Sequence, residues 1–141
     1  MNFTVISVGR LKESYWVSAV DEYAKRIKAF GKLRLIDVKE DAAILDKIPK
    51  GSYVFALCIE GQALTSEEFS EALEKIYVSE KKGICFIIGG ADGLPPKVKS
   101  VSDMRLSMSG MTFPHRLAKV MLLEQIYRAL SIQNNKKYHK V

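Results

Sequence analysis

The stretch GICFIIGG, residues 83–90, decides the fold of this chain. Five apolar residues follow one another without a polar residue between them, and two glycines close the run. A strand with one face in water alternates apolar and polar residues, so this run predicts a strand buried on both faces of a parallel sheet. The run SYVFALCIE, residues 52–60, has the same character. Each run holds one cysteine, Cys85 or Cys58, which we expect to be a free core residue rather than a disulfide or a reactive thiol.

Outside these two runs, segments of strand and helix character alternate along the chain. Further strands are predicted at FTVISVG (3–9), LRLIDV (33–38) and MRLSMS (104–109). Helices are predicted at 13–30, in a short piece around 42–48, at 67–80 with Ser66 as the N-cap, and in a long segment that starts at Pro114. This alternation predicts a single α/β domain over residues 1–141, with three layers and a parallel sheet.

The amino-acid composition and the distribution of charge indicate the class of protein and the kind of partner that it binds. The 141 residues are 48% hydrophobic and 27% charged, which is typical of one globular domain. No segment has the pattern of a signal peptide or a membrane span, so we expect a soluble cytoplasmic protein. The segment 104–141 holds seven Lys or Arg residues against one acidic residue. Such a clustered excess is typical of proteins that bind phosphates, although a solvated basic tail is the alternative.

Three of the predicted strands end in unusual loops, namely CIEGQ (58–62), IIGGADGLPP (87–96) and SMSGMTFPH (107–115). Ligands of open parallel sheets bind beyond the carboxyl ends of the strands, so we expect the chemistry there. The GGADG turn matches neither a dinucleotide fingerprint nor a Walker loop, and by itself is as readily structural as functional.

The third loop combines a helix start with apolar residues. Pro114 suits the first turn of a helix, and Thr112 or a neighbour can cap it. The helix start does not account for three apolar side chains of this loop, Met108, Met111 and Phe113. Apolar side chains on a loop predict a pocket for a flat, partly apolar ligand such as an adenine ring.

The helix that follows is apolar around nearly its whole circumference, over residues 117–130. Such a helix is buried on more than one side, and we expect a second subunit to cover the side away from the sheet, which predicts a homodimer. Glu124 and Arg128 lie four residues apart and can pair across one turn. This pair is either a routine surface ion pair or a carboxylate that orients an arginine for a phosphate or a base. His115 and His139 frame the basic segment and suggest proton or phosphate handling.

Taken together, IIGGADGL, LSMSGMTFPHRLAKVMLLEQIYRA and the terminal YHK, with the opening VISVGRLKESYWVSAVDEYAKRI, resemble the RlmH family of SPOUT-class ribosomal RNA methyltransferases. The resemblance covers nearly the whole chain. It implies a C-terminal trefoil knot, a homodimer and S-adenosylmethionine as cofactor, with no metal and no membrane. The implied reaction is methylation at N3 of the pseudouridine at position 1915, in helix 69 of 23S rRNA in the assembled ribosome.

The resemblance also implies the site residues. The cofactor contacts carried over by motif are Leu57, Gly89, Met108, Ser109, Gly110, Met111, Thr112 and Phe113. The residues expected around the RNA are His115, Arg116, Glu124, Arg128, Lys136, Lys137, Tyr138, His139 and Lys140. Among these, the expected catalytic residues are Arg128, Glu124, Tyr138, His139 and His115. We expect Arg128, oriented by Glu124, to orient the substrate or stabilise its charge, and His139 with Tyr138 to contact the substrate or remove a proton.

Two alternatives remain open at the level of sequence. A non-catalytic RNA-binding dimer on the same fold would bind RNA in a salt-sensitive way without a cofactor. A flavodoxin-like nucleotide-binding domain would need a phosphate loop after the first strand, where GRLKESYW (9–16) has a single glycine. We rank the flavodoxin-like reading last.

Overall fold

The computed structural model describes residues 1–140. The five strands are β1 (Asn2–Val8), β2 (Lys32–Val38), β3 (Ser52–Ala63), β4 (Gly83–Ile88) and β5 (Met104–Ser107). The five α-helices are α1 (Ser14–Lys28), α2 (Ile44–Lys47), α3 (Ser66–Tyr77), α4 (Pro96–Val101) and α5 (His115–Gln133). A 3₁₀ turn, Asp41–Ala43, leads into α2.

The strands form one sheet in the order β2-β1-β4-β3-β5, and every neighbouring pair is parallel. The predicted parallel α/β sheet is therefore confirmed. A flavodoxin-like sheet has the order 2-1-3-4-5, whereas β4 here lies between β1 and β3, so the flavodoxin-like alternative is wrong. The trefoil knot implied by the family resemblance stays a prediction.

The fold has three layers, with the sheet in the middle and one hydrophobic core on each of its faces. On one face of the sheet α1, α5 and α3 bury Phe55, Phe86 and their neighbours. On the other face α2 and α4 cover a smaller core around Ile87. Both thiols are free and buried, and burial raises the pKa of Cys85 to about 12. Both cysteines are therefore the packing residues that the sequence predicted.

Several predicted boundaries are corrected by backbone hydrogen bonding. Thr65, and not Ser66, is the N-cap of α3, because its hydroxyl accepts from the Glu68 amide while the Glu68 carboxylate accepts from the Thr65 amide. The last helix begins at His115 with Pro114 as its N-cap, and no side chain caps it, so Thr112 does not have that role. The predicted loop 58–62 is wrong, because β3 continues to Ala63 and pairs with β5 again from Gln62 after a shift of register. The helix α4 begins at Pro96, the last residue of the predicted loop 87–96, and was not predicted.

The last helix lies between α1 and α3, and contacts both of them. Its residues from 117 to 133 are all buried or half-buried in the single chain. The predicted burial on more than one side is thus provided in large part by α1 and α3. Within residues 1–140, no helix is long and apolar enough to cross a membrane.

Candidate functional site

The C-terminal half of β3 and the loops that follow β4 and β5 line a cavity of about 170 Å³ at the carboxyl edge of the sheet. We call it the carboxyl-edge cavity. Its lining includes seven of the eight residues expected to contact a cofactor, Leu57, Gly89, Met108, Ser109, Met111, Thr112 and Phe113. Gly110 belongs to the same loop but does not line the cavity, whereas His115, expected near the RNA, does line it.

Close backbone packing shapes the glycine side of this cavity. A Cβ atom on Gly89 would lie 2.6 Å from the backbone carbonyl of Gly93, so no side chain fits there. Gly90 and Gly93 form an isolated bridge, and Gly93 has a φ of +78°, a conformation that favours glycine. The sequence GGADG therefore folds as a tight turn that exposes backbone to the cavity.

The opposite wall is the loop between β5 and α5. The Ser109 hydroxyl accepts a hydrogen bond from the Met111 amide at 3.0 Å, and the Ser107 hydroxyl donates to the Ser109 carbonyl at 3.0 Å. These bonds hold the loop while the Met111 side chain stays 75% exposed. Apolar walls with accessible backbone groups suit a flat, partly apolar ligand.

A second cluster lies on α5 and the C-terminal tail, and we call it the Arg128 network. Arg128 donates to both carboxylate oxygens of Glu124, from Nε at 3.3 Å and from Nη2 at 2.6 Å. The Tyr138 hydroxyl donates to Glu124 Oε2 at 2.6 Å. His139 Nδ1 lies 3.0 Å from Arg128 Nη1, and its Nε2 lies 2.5 Å from Glu67 Oε1. Four of the five residues expected to be catalytic thus form one hydrogen-bonded unit.

The protonation states of this network follow from its geometry. Burial disfavours the charged form of Glu124, but the hydrogen bonds from Arg128 and Tyr138 outweigh burial and lower the pKa of its carboxyl. Burial, followed by the hydrogen bond to Glu124, raises the pKa of Tyr138. Arginine has no acceptor, so His139 Nδ1 accepts from Arg128 and the proton lies on Nε2, donated to Glu67.

A tight turn after α5 brings the tail back onto the helix. Asn135 has a φ of +54°, the left-handed conformation that asparagine adopts more readily than most residues. The Tyr138 ring then packs edge-on against Tyr127, with ring centroids 4.6 Å apart. The Asn-Asn pair after an apolar helix was an available signal for this turn.

A larger cavity of about 410 Å³ separates the Arg128 network from the carboxyl-edge cavity. Glu124 and Arg128 line it on one side. Leu106 and Met108 line both cavities, so the two sites share a wall. The arrangement can hold one ligand against the loops and present a second ligand to Arg128.

The other predicted RNA residues lie outside both clusters. Lys136, Lys137 and Lys140 are exposed on the tail. Arg116 is exposed at the start of α5, with its Nε 3.9 Å from Glu13. These four residues line neither cavity, and Arg116 lies at the opposite end of α5 from the three lysines.

The sequence did not predict the buried ion pair of Lys119 and Asp37, or the contact of Glu67 with the tail. Lys119 is only 4% exposed, and its ammonium donates to Asp37 Oδ1 at 3.0 Å, to which the Ser7 hydroxyl also donates. Glu67 contacts His139. One lysine in an apolar helix was a signal for a buried ion pair, but its partner lies 82 positions away in the chain.

Within residues 1–140, no group of three or more potential ligand side chains is placed to hold a metal ion.

The fold and the two adjoining sites define a parallel α/β protein that binds a nucleotide-like ligand at the carboxyl edge of its sheet. The family described as "Predicted SPOUT methyltransferase" matches residues 1–139. The ribosomal RNA large subunit methyltransferase H 1 of Clostridium perfringens is 43% identical, over 99% of this chain and 100% of the relative. A methyltransferase H of Clostridioides difficile is 40% identical with the same coverage. The chain therefore belongs to the SPOUT methyltransferases, in the family of ribosomal RNA large subunit methyltransferase H.

Solved structures support the fold at low sequence identity. The SpoU methyltransferase AviRb of Streptomyces viridochromogenes, in complex with AdoMet, has a TM-score of 0.56 at 12% identity. The match covers 96% of this chain and 59% of AviRb. A structure described as giving insight into 2-OH methylation of C/U34 on tRNA has a TM-score of 0.53 at 15% identity, covering 93% and 92%. At these identities the likeness concerns the fold alone.

Proposed function

We propose that this chain is a cytoplasmic S-adenosylmethionine-dependent methyltransferase that methylates N3 of a pseudouridine in helix 69 of 23S rRNA, at position 1915. One observation carries the proposal. Across the wall formed by Leu106 and Met108, the carboxyl-edge cavity adjoins the larger cavity that Glu124 and Arg128 line. A methyl donor and a methyl acceptor need such adjoining sites, because the reaction is a direct displacement that depends on positioning.

The carboxyl-edge cavity fits the cofactor by the chemistry of its lining. Leu57, Met108 and Phe113 offer apolar surface for an adenine ring, and the turn at Gly89 lets a ligand approach the backbone. S-adenosylmethionine, when bound, supplies an electrophilic methyl group. The naming of AviRb as an AdoMet complex supports this assignment, since AviRb shares the fold.

Arg128 is suited to hold the target base. Its guanidinium has five N–H groups, of which three are used in the bonds to Glu124 and His139. Two remain for the carbonyl oxygens of a pseudouridine ring. A fixed cation beside the ring favours the N3 anion, which is the nucleophile of the reaction. Glu124 positions Arg128 by holding the guanidinium at two points.

Proton removal from N3 is coupled to the Arg128 network in this proposal. Tyr138 has a raised pKa and already donates its proton to Glu124, so it is not a base at neutral pH. His139 Nδ1 is occupied by Arg128. Transfer of the Arg128 Nη1 hydrogen bond from His139 to the substrate frees His139 Nδ1 as a proton acceptor, while Arg128 stays held by Glu124 and His139 Nε2 stays bonded to Glu67.

The homodimer is part of the same proposal. Leu117, Val120 and Met121 are apolar residues of α5 that remain half-buried in the single chain. They lie at spacings of three and four residues, so they share one face of the helix. Apolar surface on a face that carries the active-site residues supports a subunit interface there. Sedimentation of the purified protein measures this directly, and a monomer at micromolar concentration would contradict it.

The experiment that tests the function measures transfer of labelled methyl from S-adenosylmethionine to ribosomes that lack this modification. Protein-free RNA of the same sequence is the comparison substrate. We expect incorporation at N3 of the helix 69 pseudouridine, with more incorporation in ribosomes than in free RNA. Ribosome binding without cofactor binding or incorporation would instead support the non-catalytic RNA-binding dimer.

A further inference from the structure

A small basic cavity lies at the opposite edge of the sheet, where β1, β3 and β4 begin. Its volume is about 180 Å³. The lining contains three cationic residues, Arg34, Lys50 and Lys82, together with the polar residues Asn2, Thr4 and Ser52, and no carboxylate. Such a set offers hydrogen-bond donors and positive charge to an oxyanion.

Backbone contacts hold the three cations together. Arg34 on β2 is paired in register with Thr4 on β1. The Lys82 amide donates to the Gly51 carbonyl at 2.9 Å, which ties the loop before β4 to the turn before β3. Gly51 has a φ of +79°, and a Cβ atom there would lie 3.2 Å from Cδ of Lys82. Because Gly51 has no side chain, there is room for the aliphatic part of the Lys82 side chain beside Lys50.

Further cations extend this cavity along the same edge. A neighbouring cavity shares Asn2, Thr4 and Arg34 and is also lined by Lys28 and Lys32. Another shares Asn2 and Lys82 and adds Lys81. All six of these Lys and Arg side chains belong to exposed residues. We call this set, Lys28, Lys32, Arg34, Lys50, Lys81 and Lys82, the basic edge.

The basic edge carries charge that the folded chain leaves uncompensated. Among residues 1–140, Lys81 alone of the six comes within 4.0 Å of a carboxylate oxygen, 3.9 Å from Asp103. Unpaired like charges at one surface repel one another and attract polyanions. An extended ligand with several phosphates matches six cations better than a single small anion does.

We propose that the basic edge binds backbone phosphates of the RNA substrate, at a distance from the methylated base. This inference rests on the function proposed above. The carboxyl-edge cavity and the basic edge lie at opposite ends of the strands, and a seven-residue strand such as β1 is about 20 Å long. The RNA bound at both edges therefore extends at least about that far from the target nucleotide.

The test compares two triple variants that remove the same charge. One, Arg34→Gln/Lys50→Gln/Lys82→Gln, neutralises the small cavity. The control, Lys25→Gln/Lys75→Gln/Lys97→Gln, neutralises exposed lysines on α1, α3 and α4. We measure the Kd for ribosomes and for 23S rRNA between low and physiological salt, and the steady-state methylation kinetics. Circular dichroism verifies that both triple variants fold.

We expect the cavity variant to bind RNA about tenfold more weakly at low salt, with KM raised and kcat unchanged. In a plot of log Kd against log salt concentration, the slope for the cavity variant should be smaller than the wild-type slope by about 2, because three phosphate contacts are lost. The control variant should stay within about twofold of the wild type. A Lys50→Arg/Lys82→Arg variant keeps the charge and should keep the affinity.

The inference is overturned if both triple variants bind RNA equally more weakly than the wild type, or if neither binds more weakly. In either case, methylation by the wild type would leave the proposed function standing. Absence of methylation by the wild type overturns the proposed function, and the binding comparison still reports on the basic edge. Binding of inorganic phosphate or ADP that is lost in the cavity variant, with RNA affinity unchanged, assigns the site to a small phosphate ligand and overturns the RNA assignment.

Discussion

The carboxyl-edge cavity and the Arg128 network are neighbouring sites, but they are formed by different kinds of chemical groups. The cavity consists of backbone turns and apolar side chains on two loops and on the C-terminal half of β3, which the sheet topology brings together. The network consists of charged and polar side chains from α3, α5 and the tail, which depend on one another for their positions. The comparison teaches that the first site follows from the fold, whereas the second depends on individual hydrogen bonds.

The largest effect is expected from the substitution Arg128→Lys in the network. Lysine keeps the charge but cannot bind both Glu124 oxygens and still point at a second group. We expect methyl transfer to ribosomes to fall by about 100-fold or more, with cofactor affinity within about twofold of the wild type. Calorimetry with S-adenosylmethionine and a methylation assay separate these two quantities.

Arg26→Lys is the matched control for that change. Arg26 also pairs with a glutamate four residues earlier, at 2.7 Å, but on the exposed surface of α1. An exposed pair contributes little, so methylation should stay near the wild-type rate. Full activity of the Arg128→Lys variant would show that charge alone, and not bidentate geometry, is needed at this position.

An intermediate effect is expected from Gly89→Ala in the cavity. The new Cβ would meet the Gly93 carbonyl at 2.6 Å, so the turn has to move. We expect cofactor affinity to fall about tenfold and the free energy of unfolding to fall by about 1–3 kcal/mol. Calorimetry and urea denaturation measure the two effects.

Gly31→Ala is the control for the clash itself. A Cβ there would lie 2.6 Å from the Met1 carbonyl, at the other edge of the sheet. This variant should lose stability and keep its cofactor affinity. If both variants lose affinity equally, the loss reflects global destabilisation and the cavity assignment fails.

The smallest effect is expected from the pH dependence of Glu124. Because the folded-state pKa of Glu124 is lowered from 4.5, its ionised form stabilises the fold above about pH 4.5. That contribution is lost as the pH falls through the folded-state pKa. Glu124→Gln should therefore be less stable than the wild type at neutral pH, and the difference should shrink at an acid pH below the folded-state pKa.

Glu71→Gln provides the comparison for this pH effect. Glu71 pairs with Lys75 at 3.2 Å, and both side chains are largely exposed. Little difference from the wild type is expected at either pH, since water screens such a pair. A Glu124→Gln variant that behaves like Glu71→Gln at both pH values would mean that the network contributes nothing to the fold.

The two sites also differ in how far sequence could predict them. The edge of the sheet that holds the cavity was predictable because parallel strands end at one edge, whereas the eight expected residues, of which seven line the cavity, came from the family resemblance. The pairing of Glu124 with Arg128 was predictable from their spacing of four residues, but whether it was a surface pair or an orienting pair was not. The structure places the Arg128 and Glu124 side chains at 22% and 17% exposure, with the tail packed on them.

Sequence alone determined the class of fold, through uninterrupted apolar runs such as 83–90, and it located two of the loops that line the carboxyl-edge cavity and the basic C-terminal segment. Only the tertiary structure decided the strand order, which excludes a flavodoxin-like sheet, and the partners of single side chains. Lys119 with Asp37, and His139 with Glu67, are separated by 82 and 72 positions. The physical reason is that periodicity and propensity are local properties of a chain, whereas these contacts depend on how the layers stack.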